Sequence, residues 1–364
     1  WTDGRPCVHV KGTGADLGRV TAADFTPIDL DGARGLLAGP TLDNAALMAA
    51  LEPLKRDAAA PRPSIETLMH ASLPARWVEH THADSVLAVL DTADGERTVR
   101  KVFGAAAPLV PFRHSGFDLA QACMATFDSE RTDATQGLLL AAHGVVAFAD
   151  DARTSYERMG ALIARAEDHL ERHGAWTLPV ATPAPRDADG ARRLATLRRR
   201  LSAIAGFPLV LAVDDSPEAV AFARRADLAD IALQGPPTPQ HAVFTKRVPS
   251  LGFDVDTYAA SYRDYLARHR GEFTPDRLPD AAARIVLDPA FGAIAASVDG
   301  RRACDTAEVQ SHDIAIISRA AALDRYVSLP PADILVAEVH YGGFERRLLA
   351  RRASRRSPPL HCHR

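Results

Sequence analysis

The chain has 364 residues, 47% of them hydrophobic and 24% charged, with a formal net charge of −3. This length and composition suit a globular protein of two domains. The nearly balanced charge gives no electrostatic footprint for nucleic acid or an anionic membrane, and no apolar run approaches the roughly 20 residues of a membrane span. We therefore expect neither a nucleic acid nor a membrane as a partner.

The four cysteines are widely scattered and form no C-x-x-C pair. This spacing indicates neither a Cys-rich zinc module nor a disulfide framework, so the expected location is the reducing cytoplasm. The chain begins at Trp1, without an initial methionine and without a signal-peptide pattern. We expect that an upstream segment is missing.

Hydrophobic periodicity predicts the elements of the first half. The predicted strands are residues 8–10, 77–82, 108–112, 137–142 and 145–148, and the predicted helices are residues 45–54, a segment starting at 64, 83–90, a segment starting near 118, and 151–173. Hairpin-like strand pairs occur without a regular βαβ order. We therefore predict an α/β protein with a mixed or antiparallel sheet between helices, and not a doubly wound dinucleotide fold.

Residues 177–190 are rich in proline and alanine and lack periodicity, which is typical of a linker. After it, helices are predicted at 191–205, 216–225, 255–269 and 302–323, and strands at 208–213, 242–248, 284–287 and 293–297. The predicted organisation is a first domain at 1–176, the linker at 177–190, a second α/β half at 191–350, and a disordered basic tail at 351–364.

Histidines at the ends of predicted strands are the candidate metal ligands. His80 and His82 alternate along one strand, so both imidazoles point to the same face, close enough to chelate one cation. His143 ends a buried apolar strand, where packing does not explain a polar residue, and Gly144 allows a close backbone approach. Three histidines with an open position are typical of catalytic zinc, and Glu66 adds a carboxylate for acid–base work. The alternative for the first pair is two solvated strand histidines.

The two halves share one pattern, a strand, an X-Gly pair, a second strand and a long helix. In that pattern Gly144 corresponds to Gly292 and His143 corresponds to Phe291. We interpret the second half as a degenerate copy of the first that has lost the metal ligand. Chance similarity of two strand–strand–helix units is the alternative.

Three segments resemble the class II aldolase/adducin family. They are PSIETLMHASLPARWVEHTHADSVLAVL, VPFRHSGFDLA and GLLLAAHGVVAFADDARTSYERMGALIARAEDHL. The likeness runs from about Val8 to Trp176 and implies the three-layer fold of that family. With KGTGADL, DDSPEAVAFARRADL and GPPTPQHAVFTKRVP, the chain is most similar to the aldolase half of bifunctional rhamnulose-1-phosphate aldolase/short-chain dehydrogenase proteins, up to about Tyr326.

The resemblance implies roles for the candidate residues. His80, His82 and His143 are expected to hold Zn²⁺ or another divalent cation, and Glu66 is the expected acid/base residue. The substrate phosphate is expected to bind at three positions, namely Thr13, Gly14 and Ser64. Backbone N–H groups and hydroxyls at such turns suit an anion.

Two departures from the family pattern concern phosphate binding. Family members often carry Ser-Ser before the glutamate, and Ile65 stands in the second place. The Gly-Asn-x-Ser loop that also contacts phosphate in the family corresponds to a position upstream of Trp1. Phosphate binding is therefore the part of the resemblance with the weakest support from the residues.

The implied reaction is reversible cleavage of a ketose 1-phosphate, such as rhamnulose 1-phosphate, to dihydroxyacetone phosphate and an aldehyde. The cation stabilises the charge that grows on the enediolate oxygen. A sugar-phosphate epimerase or dehydratase, and a non-catalytic adducin-like assembly protein, are the alternatives. The expected partners are a sugar phosphate, further copies of the chain in a homo-oligomer, and a separate or fused dehydrogenase. No strand here leads into a G-x-x-x-G-x-G turn, so no nicotinamide cofactor is predicted.

Three other histidines have structural interpretations at least as good as functional ones. His70 shares a helix face with Glu66 and is either packed or a support for the site, and His114 is a loop histidine. His241, near Lys246, is interpreted as part of a solvated strand edge.

Overall fold

The computed structural model describes residues 4–15, 17–185 and 187–339, which form two compact units. Of these described residues, unit 1 comprises those up to 90 and those from 94 to 169, and unit 2 comprises 91–93 and those from 170 to 339. The predicted tail at 351–364 lies outside the described residues. Within the described part of the chain, no helix combines the length and the apolar character needed to cross a membrane.

Unit 1 contains two sheets and the helices that pack on them. In chain order its elements are β1 (Cys7–Lys11), β2 (Phe25–Asp29), α1 (Leu30–Leu37), α2 (Asn44–Leu51), α3 (Thr67–Ser72), β3 (Trp77–Thr81), α4 (Asp84–Leu90), α5 (Gly95–Phe103), β4 (Leu109–Val110), α6 (Phe117–Glu130), β5 (Gly137–Leu140), β6 (Gly144–Ala149) and α7 (Ala152–Arg172). The helix α7 begins in unit 1 and ends in unit 2.

The larger sheet of unit 1 has the strand order β3-β6-β5-β4. The strands β3, β6 and β5 pair antiparallel, and β4 joins β5 in parallel. Every residue of β5 and β6 is buried, as expected for a continuous apolar run covered on both faces. The prediction of a mixed sheet with antiparallel pairs is confirmed. The strands β1 and β2 form a separate antiparallel hairpin.

Unit 2 contains one four-stranded sheet with its helices. Its elements are α8 (Ala188–Ala205), β7 (Val210–Asp214), α9 (Pro217–Ala223), α10 (Leu228–Ala232), α11 (Pro239–Thr245), β8 (Ser250–Leu251), α12 (Val255–His269), β9 (Ile285–Asp288), β10 (Gly292–Ser297) and α13 (Gly300–Leu323). Residues 331–339 are also helical.

The sheet of unit 2 repeats the larger sheet of unit 1. Its strand order is β7-β10-β9-β8, with the same two antiparallel pairs and the same final parallel pair. Gly144 and Gly292 each open the second strand of the central hairpin, so His143 and Phe291 occupy the same position before it. The predicted repeat of the strand–strand–helix unit is therefore present in the topology.

The register of the repeat extends to the edge strands. His80 pairs with Val146, the third residue of β6, and Val213 pairs with Ile294, the third residue of β10. Val213 thus stands where unit 1 has His80, and Asp215 stands where it has His82. At the position of His143, Phe291 is buried and stacks on Phe253, with ring centroids 5.7 Å apart. Arg193 covers both of these rings.

Two predictions of local structure were wrong. The helix α3 begins at Thr67 and not at Ser64, because the Ser64 hydroxyl accepts a hydrogen bond from the Glu66 N–H and keeps the chain in a turn. The strand predicted at 242–248 is the helix α11. Its signals are Thr238, whose side chain accepts from the His241 N–H, and Pro239 in the first turn, and both outweigh the β-branched residues that follow.

Other differences concern element boundaries and elements that were not predicted. The helix α8 begins at Ala188, inside the segment interpreted as a linker, with Asp187 as its N-cap. The elements β2, α1, α5, α10 and β8 and the helix at 331–339 were not predicted from the sequence. The elements β2, α10 and β8 have five residues or fewer, which is too few for a hydrophobic period to be recognised.

Candidate metal and acid–base site

His80 lies on the edge strand β3 and is fixed through its ring. Its Nδ1 is 3.1 Å from the Val145 carbonyl oxygen of the neighbouring strand. A carbonyl can only accept, so Nδ1 carries the proton and Nε2 is left as a ligand atom. Burial lowers the pKa of His80 to about 4. The imidazole is therefore neutral at physiological pH, the form in which it binds a metal.

His82 and His143 complete a group of three imidazoles. His82 lies one residue beyond the end of β3, and its Nε2 is 3.1 Å from the Nε2 of His80. The three ring centroids lie between 4.8 and 5.0 Å apart. Gly144 makes this approach possible, because a Cβ there would lie 2.4 Å from the Thr81 carbonyl oxygen and 3.1 Å from the His82 ring.

Glu66 brings its carboxylate to the same point from the start of α3. Its Oε1 is 2.9 Å from His143 Nε2, and its Oε2 is 3.6 Å from His80 Nε2. The Ser115 hydroxyl lies 3.3 Å from Oε1 and donates to it. Burial alone would raise the pKa of Glu66, but attraction to His80 and His143 holds it well below its usual range. Glu66 is therefore a carboxylate at neutral pH.

The four residues fit a divalent cation. One ligand atom from each of Glu66, His80, His82 and His143 lies within 4.8 Å of every other. The buried Nε2 of His143 has no well-formed hydrogen bond to any described residue, although the Glu66 carboxylate is close. Imidazole nitrogens with a carboxylate are donors that zinc accepts. The group could hold a metal ion that satisfies this nitrogen.

The structure brings the proposed phosphate turns together. The Thr13 hydroxyl donates to the Pro63 carbonyl at 2.9 Å, and Gly12 bridges to Pro63, next to Ser64. The Thr13 N–H donates to the Arg62 carbonyl, so both polar groups of Thr13 are already engaged within the protein. Gly14 follows in a turn with a φ of +82°. Contact of these turns with a phosphate stays a prediction.

The other histidines singled out from the sequence have different outcomes. His70 lies on α3, and burial lowers its pKa while its ring bonds the backbone of Val78 on the histidine strand β3. His114 packs edge-on against Phe112, with centroids 5.2 Å apart. The solvated strand edge predicted around His241 is wrong: this residue is buried in α11, with its Nδ1 2.7 Å from Asp313 Oδ1.

Ser115 is a site residue that sequence reasoning missed. It directly follows His114 in a segment that was already recognised, but a serine in a loop carries no periodic or metal-binding signal. Its link to Glu66 spans 49 positions of sequence. Only the folding of the loop before α6 onto the start of α3 brings the two together.

Two family models match the chain, one in each half. Residues 3–170 match the class II aldolase and adducin N-terminal domain, and residues 188–348 match the aldolase class II second domain. Among curated proteins, the chain is 26% identical over 346 residues to the uncharacterized oxidoreductase YuxG of Bacillus subtilis (strain 168). That alignment covers 88% of this chain and 49% of YuxG, so the chain spans about half the length of this relative.

Two solved structures are also similar. The N-terminal class II aldolase domain of a conserved Thermoplasma acidophilum protein is 29% identical, with 45% of this chain and 75% of that chain covered and a TM-score of 0.42. An L-fuculose 1-phosphate aldolase is 16% identical, with 52% of this chain and 79% of that chain covered and a TM-score of 0.32. On the two family matches, which together span most of its length, the chain belongs to the class II aldolase and adducin family.

Proposed function

We propose that this protein is a metal-dependent aldolase that cleaves a ketose 1-phosphate, with rhamnulose 1-phosphate as the first candidate, to dihydroxyacetone phosphate and an aldehyde. The observation that carries the proposal is the convergence of His80, His82 and His143 on the Glu66 carboxylate within 4.8 Å. A purely structural role does not require three imidazoles and an ionised carboxylate at one point.

The three histidines are the proposed holders of the cation, with zinc the first choice. When bound, a divalent cation supplies positive charge that stabilises developing negative charge on substrate oxygens. His80 is oriented for this by its hydrogen bond to the Val145 carbonyl, and the Nε2 of His143, close to the Glu66 carboxylate, would be a second ligand atom.

Glu66 is the proposed acid/base residue. In the condensing direction its carboxylate removes a proton from the carbon next to the substrate carbonyl, and in cleavage the same carboxyl returns that proton. The lowered pKa of Glu66 suits the basic form at the start of condensation. The Ser115 hydroxyl donates to Oε1, which also faces His143, and Oε2 faces His80.

The substrate phosphate is proposed to bind where the Thr13–Gly14 turn meets Ser64. The hydroxyl of Ser64 and the backbone of this turn are donors of the kind that hold anions. Because both polar groups of Thr13 already bond to the protein, Ser64 is the more important contact in this proposal.

Two other reaction types are alternatives on the same metal site, and a further alternative is a protein that catalyses no reaction. A sugar-phosphate epimerase or dehydratase would use the same cation and the same carboxylate, and it is separated from an aldolase only by its products. A non-catalytic adducin-like assembly role is disfavoured, because it does not need three histidines and Glu66 in one cluster.

Two kinds of partner belong to the proposal. We propose that the chain forms a homo-oligomer. We also propose that a dehydrogenase acts beside it, fused or separate, on the aldehyde half of the product. The relative YuxG carries the word oxidoreductase in its name, and this chain covers 49% of its length.

The decisive experiment compares the wild-type protein with a His80→Ala/His82→Ala variant. Zinc content is measured by elemental analysis, and cleavage of rhamnulose 1-phosphate is followed in both proteins. We expect about one zinc per chain, lost together with cleavage in the variant. The matched control is His173→Ala, which removes an exposed histidine and should leave both values unchanged.

The remaining outcomes separate the alternatives. Zinc binding without cleavage, but with conversion of another sugar phosphate, would support an epimerase or a dehydratase. A wild-type protein that binds no divalent metal even when supplied with it would contradict the enzyme proposal and favour the assembly role.

A further inference from the structure

Asn44 is the only asparagine in the 364-residue chain. Asparagine is common at helix N-caps and turns, but here aspartate takes those places. At the start of α2 the cap is Asp43, whose carboxylate accepts from the Ala46 N–H at 2.7 Å. Capping therefore does not explain why residue 44 is an asparagine.

The side chain of Asn44 lies against the loop that carries Ser115. A Cβ on Gly116 would be 2.4 Å from Asn44 Oδ1 and 3.6 Å from Ile65 Cγ1. The φ of Gly116 is +119°, a conformation that favours glycine, so the loop leaves room for the amide at this point. Gly116 directly follows Ser115, and Ile65 directly precedes Glu66. Asn44 thus lies against the residue that follows Ser115, in a loop that also approaches the residue before Glu66.

The amide of Asn44 makes no hydrogen bond to any residue within 4–15, 17–185 or 187–339. It is half-buried, so the amide is partly removed from water without a protein partner. A half-buried amide in this state is ready to bond a ligand oxygen at little cost. An ionised aspartate could not donate such a bond, so the amide of Asn44 offers a donor that the aspartates of this chain do not.

We propose that Asn44 is a substrate-binding residue of this site, and that its side-chain amide donates a hydrogen bond to an oxygen of the sugar phosphate. The inference rests on the proposed function and adds a recognition contact to it. The acceptor is either a phosphate oxygen or a hydroxyl of the carbon chain, and both present a lone pair to the same donor.

The test uses the full chain loaded with zinc. The variants are Asn44→Ala and Asn44→Asp, with Asp43→Ala as the matched control, since it removes the cap of the same helix without touching the loop at Gly116. Steady-state constants for rhamnulose 1-phosphate, zinc content and the melting temperature are measured for each. We expect Asn44→Ala to raise KM about 3- to 10-fold, the effect of losing one neutral hydrogen bond, with zinc content unchanged.

The control separates recognition from loss of structure. Asp43→Ala should lower the melting temperature through the lost cap but leave KM at the wild-type value. An Asn44→Ala protein with wild-type KM would overturn the inference, and so would an equal rise of KM in Asp43→Ala.

The aspartate variant identifies the acceptor. Next to a phosphate, the new carboxylate of Asn44→Asp repels the substrate, so KM rises beyond that of Asn44→Ala and the excess shrinks with added salt. Next to a hydroxyl, the carboxylate accepts a hydrogen bond, and KM stays closer to the wild-type value than in Asn44→Ala. Both results support the contact.

Equilibrium binding distinguishes failure of this inference from failure of the proposed reaction. If the wild-type protein does not cleave rhamnulose 1-phosphate, binding of dihydroxyacetone phosphate to the zinc-loaded proteins is measured by calorimetry. Weaker binding to Asn44→Ala than to the wild type supports the contact without any turnover. Equal affinity overturns the contact, and a wild type that neither cleaves nor binds overturns both proposals.

Discussion

The Nε2 atoms of His80 and His82 lie 3.1 Å from each other. The Nδ1 of His80 bonds a carbonyl and holds the ring proton, so its Nε2 presents a lone pair to the neighbouring ring. Two imidazoles in this arrangement need either one shared proton or one shared cation between them. Protonation of these rings, binding of a cation and the stability of unit 1 therefore depend on one another, and each can be measured.

The stability of the metal-free protein should fall as the pH falls from about 6.5 to about 4. His80 has its pKa lowered to about 4 in the folded state, so over this range the unfolded chain takes up a proton that the folded chain refuses. Unfolding then binds more protons, and stability rises with pH. The loss across the window is about 3 kcal/mol, measured by urea unfolding of metal-free protein at several pH values. His80→Ala should flatten this slope, whereas His173→Ala should retain it; an unchanged slope in His80→Ala would contradict the assignment.

Replacement of Glu66 by glutamine should separate catalysis from metal binding. Glu66→Gln keeps the size of the side chain but removes the proton acceptor, so kcat should fall by about 10²- to 10⁴-fold. Zinc content should stay near the wild-type value, because the three histidines remain. The matched control is Glu79→Gln on the same strand as His80, which should leave kcat unchanged. Full activity in Glu66→Gln would assign the proton transfer to another group.

Removal of the Phe291 ring should destabilise unit 2 without changing the metal. Phe291 is 8% exposed, stacks on Phe253 and lies under Arg193, so Phe291→Ala leaves a cavity where unit 1 has His143. The expected loss is about 3 to 5 kcal/mol in the free energy of unfolding, measured with urea, with zinc content unchanged. Phe273→Ala, at a partly buried ring, should cost less. A drop in zinc content of the Phe291 variant would mean that unit 2 takes part in metal binding.

Asp91→Asn should stabilise the protein at high pH. Asp91 is buried, its Oδ2 has no hydrogen-bond partner among the described residues, and burial raises its pKa well above the usual value. As the pH rises above the unfolded value near 3.8, the unfolded chain releases this proton before the folded chain does, so stability falls with pH. The amide has no such proton. We expect Asp91→Asn to raise the free energy of unfolding by about 1 to 3 kcal/mol at pH 8, with little difference from the wild type at pH 4.

The comparison for Asp91→Asn is the exposed Asp94, three positions along the chain. Asp94→Asn should leave the pH dependence of the melting temperature as in the wild type. Equal pH slopes in Asp91→Asn and the wild type would show that Asp91 does not carry the effect.

The sequence by itself determined those elements of this protein whose residues follow a local hydrophobic pattern. The apolar run before His143 predicted β5, the long amphipathic stretch predicted α7, and the shared strand–Gly–strand pattern predicted the repeat in unit 2. These patterns can be recognised without the tertiary structure. A strand buried on both faces is a continuous apolar run, and a helix buried on one face has apolar residues at the helical period.

Which side chains come together at the site was decided only by the tertiary structure. Ser64 looked like the start of a helix, but its hydroxyl bonds the Glu66 N–H and leaves Glu66 outside α3, aimed at His143. The contacts of Ser115 and Asn44 carried no signal, since a contact between residues distant in sequence leaves no period along the chain. The fold of the loop before α6 against the starts of α2 and α3 brings them to the carboxylate, and that geometry comes from packing rather than from any local propensity.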